Sequence, residues 1–282
     1  MLVWVDDRPQ LEACFAALTP ANDMALAAFR PRRTFPGLCA ACGQVTDFLV
    51  TAGEPEGDWR NLLEGMICAC GTNGRTRMAI QAWRQVRQEL QPQNSLIFER
   101  VTQFYSLLVA EDPSLIGCEF LGPDKISGQT YDFHGVPVRH EDMLAMSSPS
   151  DSLDLIMHFD VLEHVPDHKA ALRECFRTLR PGGVSLFTLP FYEDIGKSVI
   201  RSRLVNGEIE HLLPQAFHGN PVGDGALVFF EPSWDLLDSI RETGFKLQIG
   251  IAHDVSGGIV SNGCPFPIGH MWPVIFKLTK PL

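Results

Sequence analysis

From Ser95 onward, short apolar runs alternate with stretches of helical periodicity, and that alternation leaves few folds open to the chain. The runs at 95–99 (SLIFE), 115–120 (LIGCEF), 136–140 (VPVRH), 153–158 (LDLIMH), 183–189 (GVSLFTL), 245–251 and 272–279 read as strands. Several have no polar face, as expected when helices cover a parallel sheet on both sides, so the expected class is α/β. A helix over 168–180 is expected to start at Asp167 as N-cap, to bury Leu172, Phe176 and Leu179, and to stop at Pro181-Gly182-Gly183. A second, over 233–243, has Ser233 as its expected N-cap and Gly244 just past its end.

In such a sheet ligands gather outside the carboxyl ends of the strands. Four acids stand there: Glu99, Glu119, Asp142 and Asp160. A carboxylate at Glu119 can accept two hydrogen bonds from a ribose diol, and one at Asp142 can accept from the exocyclic amine of adenine. The segment DLIMHFDVLEHVPD (154–167), followed by ALRECFRTLRPGG (171–183), closely resembles the fourth- and fifth-strand motifs of class I S-adenosylmethionine-dependent methyltransferases. The resemblance extends over 95–282 and implies a Rossmann-like, seven-stranded, mostly parallel sheet with helices on both faces and one antiparallel edge strand. It implies S-adenosylmethionine as cofactor, with Glu119 on the ribose, Asp142 on the adenine, Glu99 at the first strand end, and Phe159 and Asp160 near the methionine part. It places Glu163 and His164 at a helix start beside the cofactor, outside the chemistry. One departure stands out: such domains carry a glycine-rich loop after the first strand, and here no glycine follows Glu99 until Gly117. Either a loop of different shape admits the cofactor, or the pocket is altered and the domain is a weak enzyme or a binding scaffold.

Residues 1–92 read as a separate module ahead of a catalytic domain at 93–282. Residues 9–29 are expected to form two short helices broken at Pro20, and 75–90 a third. Between them lie Cys39-Ala40-Ala41-Cys42-Gly43 and Cys68-Ala69-Cys70-Gly71, separated by the turn-rich Gly53–Asp58 segment. Four thiolates complete a tetrahedral zinc, so Cys39, Cys42, Cys68 and Cys70 are expected to hold a structural ion without an open position. Some methyltransferases acting on sugars and natural products resemble this arrangement, which points to a small-molecule or glycan-like acceptor. Arg75 and Arg77, just after the ligands, are expected to be solvated.

The segment 191–232 is expected to be a substrate lid, since loops at strand ends carry specificity. Of its histidines, His218 is the first choice for the base that takes a proton from the acceptor, and His211 the second. Their spacing to each other and to nearby acids does not read as a metal site. Lys+Arg total 23 against 34 Asp+Glu, a formal net charge of −11, the wrong sign for holding nucleic acid through its phosphates. With no apolar run near ~20 residues, and with acids in the opening MLVWVDDRPQ where a signal peptide needs basic residues, no membrane span is expected and the chain is expected in the cytoplasm.

Overall fold

The computed structural model of this chain describes residues 2–29, 31–51, 61–264 and 269–282. The Gly53–Asp58 segment lies outside the described residues. Nine strands form one sheet in the order Leu2–Val5, Lys246–Ala252, Val274–Thr279, Leu179–Thr188, Leu153–Phe159, Ser95–Ile97, Ile116–Glu119, Val136–His140, Thr130–Phe133. All seven expected strands are among them, and the count of seven is corrected to nine by two edge strands. Leu2–Val5 pairs antiparallel with Lys246–Ala252, and Thr130–Phe133 pairs antiparallel with Val136–His140. Both are four-residue strands, too short for their periodicity to register. The central pairs, from Leu179–Thr188 across to Val136–His140, are parallel.

The chain packs as two compact units: Met1–Glu89 with Phe191–Asp194 and Gln248–Phe276, and Leu90–Pro190 with Ile195–Leu247 and Lys277–Leu282. The units do not follow a linear division at residue 92, because two later segments pack with the N-terminal residues.

In the first unit Arg8–Phe29 is one helix that runs through Pro20, not the two expected. Proline removes a single backbone donor, while burial of Leu11, Phe15, Ala25, Leu26 and Phe29 along one stripe holds both halves in line. Thr34–Leu38, Val45–Val50 and Met66–Ile67 form a small antiparallel sheet, followed by the helix Gly74–Leu90, which buries Met78, Ala82, Trp83 and Val86.

In the second unit every residue of Leu153–Phe159 is buried. The next helix, His168–Thr178, starts as expected, with the Asp167 carboxylate accepting from the Ala170 amide at 2.8 Å. The helix Asp235–Glu242 begins differently. Ser233 does not cap it; Asp235 in its first turn accepts from the amide and hydroxyl of Ser198, at 2.7 and 2.6 Å. The 195–232 segment folds into three two-stranded antiparallel pieces: Val199–Ile200 with Phe230–Glu231, Ser202–Val205 with Glu208–His211, and Phe217–His218 with Ala226–Leu227. Among the described residues no helix is long and apolar enough to cross a membrane.

Candidate functional site

The first unit brings the four cysteines together. Each pair sits on a turn closed by a left-handed glycine: Gly43 (φ +70°) bonds back to the Cys39 carbonyl at 2.8 Å, and Gly71 (φ +84°) to that of Cys68 at 2.9 Å. The sulfurs of Cys39 and Cys70 lie 3.8 Å apart and those of Cys42 and Cys68 3.9 Å. A zinc ion bonded to four sulfurs at about 2.3 Å sets a tetrahedral edge of about 3.8 Å, so the thiol spacing fits that ion. Burial pushes the Cys68 thiol up to about 12, while at Cys39 burial is outweighed by hydrogen bonds from its neighbours, which bring that thiol down to about 7.

Arg77 corrects the expectation of solvation. It is fully buried, its guanidinium lies 4.3 Å from the Phe48 ring centre, and it donates to the carbonyls of Thr72 and Gly258, both at 2.7 Å. Burial lowers its pKa, and the neighbouring cysteines, taken as thiolates, oppose that shift. A permanent cation beside four sulfurs offsets the excess negative charge of a fully thiolate-ligated divalent ion. Arg75 is likewise engaged, on Glu64 at 2.7 Å.

In the second unit the strand-end acids are fixed by backbone. Oε1 of Glu119, a residue 7% exposed, accepts from the amides of Arg100 (2.7 Å) and Val101 (3.2 Å). The carboxyl terminus of one strand thus grips the loop leaving its neighbour. Burial raises the Glu119 pKa, and those two amides oppose the rise. Glu99 accepts a short hydrogen bond from Thr102, whose own hydroxyl caps the helix Gln103–Glu111. Asp142 accepts from the Leu144 amide at 2.8 Å, and its own amide donates to the Ser127 hydroxyl. Asp160 has φ +54°, a left-handed conformation rare outside glycine, and is held by the Thr188 hydroxyl at 2.8 Å. Phe159 is buried, with its ring edge-on to Phe104 at 5.1 Å.

The two histidines are not brought together. His211 is tied within its own hairpin, to Ser202 at 2.9 Å and Gln215 at 2.8 Å. His218 instead sits beside the turn Leu162–His164, which follows the strand ending at Phe159. Its Nδ1 lies 3.6 Å from Oε1 of Glu163, and Nε2 of His164 lies 3.5 Å from the same oxygen. The Glu163 side chain is fully buried, and its pKa is raised by that burial, with His218 opposing the rise. The Phe229 amide bonds to the Glu163 carbonyl and Nδ1 of His164 to the Leu227 carbonyl, so the 217–231 chain is laced onto this turn. Glu163 and His164 thus belong to the same cluster as His218. Linear spacing hid this, because the third member comes from a distant hairpin; the signal was the Glu-His pair closing an apolar strand.

Residues 105–187 match the family model described as a methyltransferase domain. Over 55 residues the chain is 42% identical to a probable S-adenosylmethionine-dependent methyltransferase of Mycolicibacterium smegmatis, a match covering 20% of this chain and 21% of that protein. The chain spans about a fifth of the length of that relative. Solved structures similar to this chain include a S-adenosylmethionine-dependent methyltransferase from Mesorhizobium loti, 14% identical, with 72% of this chain and 97% of that chain covered at a TM-score of 0.41. Another is the sugar N-methyltransferase KedS8 from a Streptoalloteichus species, 16% identical, with 73% and 87% covered at a TM-score of 0.42.

Proposed function

We propose that the chain transfers the methyl group of S-adenosylmethionine to a small-molecule or glycan-like acceptor in the cytoplasm, with a structural zinc in its N-terminal part. The observation that carries the reading is a coincidence of position. The stretch matching a methyltransferase domain, 105–187, contains Glu119, Asp142 and Asp160, each at the carboxyl end of a parallel strand and each held in place by hydrogen bonds. The residues fit the cofactor: Glu119 would take the ribose, Asp142 the adenine, and Glu99, Phe159 and Asp160 would border the methionine part. When bound, that cofactor supplies a methyl group on a positively charged sulfur. The chain's task is to align the acceptor for in-line displacement and to exclude water.

His218 belongs to the acceptor side, and loss of the acceptor's proton is the step it serves. His211, whose ring nitrogens meet Ser202 and Gln215, is the second choice for that step. Cys39, Cys42, Cys68 and Cys70 would hold zinc, supported by the sulfur spacing and by Arg77.

The second reading, a binding scaffold without turnover, is favoured by one observation: the loop after the first strand already occupies an oxygen of Glu119. Calorimetric titration with S-adenosylmethionine and with S-adenosylhomocysteine separates the two. Micromolar binding, about −8 kcal/mol, is expected, and Glu119→Ala is expected to weaken it at least tenfold. No heat from folded, zinc-loaded protein would favour the scaffold.

A further inference from the structure

The Glu163 carboxylate has no ordinary reason to be where it is. Its side chain is fully buried, and among the described residues neither of its oxygens accepts a hydrogen bond. Leaving an ionised carboxylate in that state costs several kcal/mol. The two imidazoles that face it stand at 3.5 and 3.6 Å, beyond the 2.7–3.2 Å of a nitrogen–oxygen hydrogen bond. Nδ1 of His164 lies 2.9 Å from the Leu227 carbonyl, which can only accept. With Nδ1 turned to that carbonyl, Nε2 is the ring atom that faces the carboxylate. Asp160, whose charge also acts on Glu163 and His218, deepens the negative potential.

We infer that Glu163, His164 and His218 form a binding site for a first-row divalent cation, held by one carboxylate oxygen and two imidazole nitrogens. The three ligand atoms lie within 4.8 Å of one another. An ion bonded to them at about 2.1 Å would set ligand edges of about 3.4 Å, close to the two nitrogen–oxygen distances. The Leu227 carbonyl behind His164 is the outer partner that orients a metal-binding imidazole. Two imidazoles and one carboxylate leave coordination positions open, and the site has a wet side: the His218 side chain is 38% exposed, against 14% for His164. A ligand entering from that side with an oxygen donor would complete the coordination. The inference rests on the proposed methyl transfer only in calling that ligand the acceptor, which would then be a hydroxyl-bearing molecule.

The test uses the whole chain brought to one zinc per chain, so that zinc fills the cysteine site and leaves the proposed one free, and Mn2+ alone as probe, followed by loss of the free-ion electron paramagnetic resonance signal. Mn2+ has little affinity for thiolates, so the cysteine site does not report. One Mn2+ per chain is expected, with affinity at least tenfold weaker in Glu163→Gln and in His218→Asn. Should Glu163→Gln not fold, His218→Asn, at a half-exposed position, carries the comparison. Absence of Mn2+ binding to folded wild-type protein would overturn the site, as would undiminished binding in both variants. S-adenosylmethionine titrated into the same preparation keeps the two proposals apart. Cofactor binding without Mn2+ binding overturns the cation site alone, whereas Mn2+ binding without cofactor binding supports the cation site and removes the methyl-transfer reading.

Discussion

Gly117→Ala is the substitution through which packing in this domain most directly meets its proposed function. A Cβ at Gly117 would lie 2.6 Å from the Glu99 carbonyl oxygen and 2.6 and 2.8 Å from two carbons of the Tyr105 ring. Neither neighbour gives way cheaply. Tyr105 is buried and tethered by its hydroxyl to the Leu115 carbonyl at 3.1 Å, and Arg100 lies over its ring at 5.2 Å. The Glu99 carbonyl belongs to the loop whose next two amides are held by Glu119. Overpacking a rigid site costs about 1–3 kcal/mol, and with backbone as the obstacle the upper half of that range is expected. At roughly 2–4 °C per kcal/mol for a chain of this size, the melting temperature should fall by about 4–12 °C. The loop displaced by the new methyl group is the one that would border the cofactor, so S-adenosylmethionine affinity should fall as well. Calorimetric melting and titration on the same samples measure both. Gly219→Ala is the control: it meets nothing within 4 Å, its φ is not in the left-handed region, and no loss of melting temperature is expected. A Gly117→Ala protein that melts within 1–2 °C of wild type would refute the reasoning.

The purified protein should hold about one zinc per chain by elemental analysis, and Cys39→Ser should release it. Arg77→Met removes a buried cation from beside the sulfurs and leaves the Thr72 and Gly258 carbonyls without their donors. A loss of about 3–5 kcal/mol is expected, with faster zinc release to a chelator; unchanged release would remove the counter-charge assignment. His158 supplies a pH signature. It is fully buried, stacked on Phe187 at 4.5 Å, without a hydrogen-bond partner on either ring nitrogen among the described residues, and burial alone depresses its pKa to about 3. The unfolded chain takes up that proton near pH 6.5 and the native chain does not, so stability is full above pH 6.5 and declines as pH falls toward 3. His158→Leu should flatten that part of the urea-unfolding profile, and an unchanged slope would show that other groups set it.

The sheet was legible because its strands are buried on both faces: LDLIMH and GVSLFTL announce themselves without any knowledge of partners. The edge strands were not, since Thr130–Phe133 alternates half-exposed and exposed residues and resembles a loop. Pro20 misled for a related reason, because a propensity argument weighs the proline and cannot weigh the buried stripe that holds the helix through it. In the cysteine site the ligands could be read from spacing, whereas Arg77 could not. An arginine in a helix at ordinary surface periodicity looks solvated until the 258 loop closes over it, and Gly258, whose added Cβ would lie 2.6 Å from Nη2 of Arg77, is what allows that closure. The cluster at Glu163 shows the same limit more sharply. Two of its members are adjacent in sequence, and the third becomes visible only once the hairpin Phe217–His218 is paired and laid against the turn.

The missing glycine loop acquires a physical meaning from these contacts. A glycine after the first strand would let backbone approach a ligand closely; here the close approach has moved one strand over, to Gly117, where it admits the Tyr105 ring and the Glu99 carbonyl. The loop 99–102 is then stiffened by its own chemistry, with Thr102 bonded to Glu99 and two amides bonded to Glu119. Both amides fall on one oxygen, filling the two lone pairs that oxygen has. A ribose diol approaching Glu119 therefore meets the other oxygen only. The loss of one hydrogen bond to a charged acceptor is worth about 1.5–3 kcal/mol, roughly 10- to 150-fold in affinity, while the preorganised loop reduces the ordering cost that a mobile glycine segment would add. For the proposed cofactor the balance sets binding at the weaker end of the micromolar range.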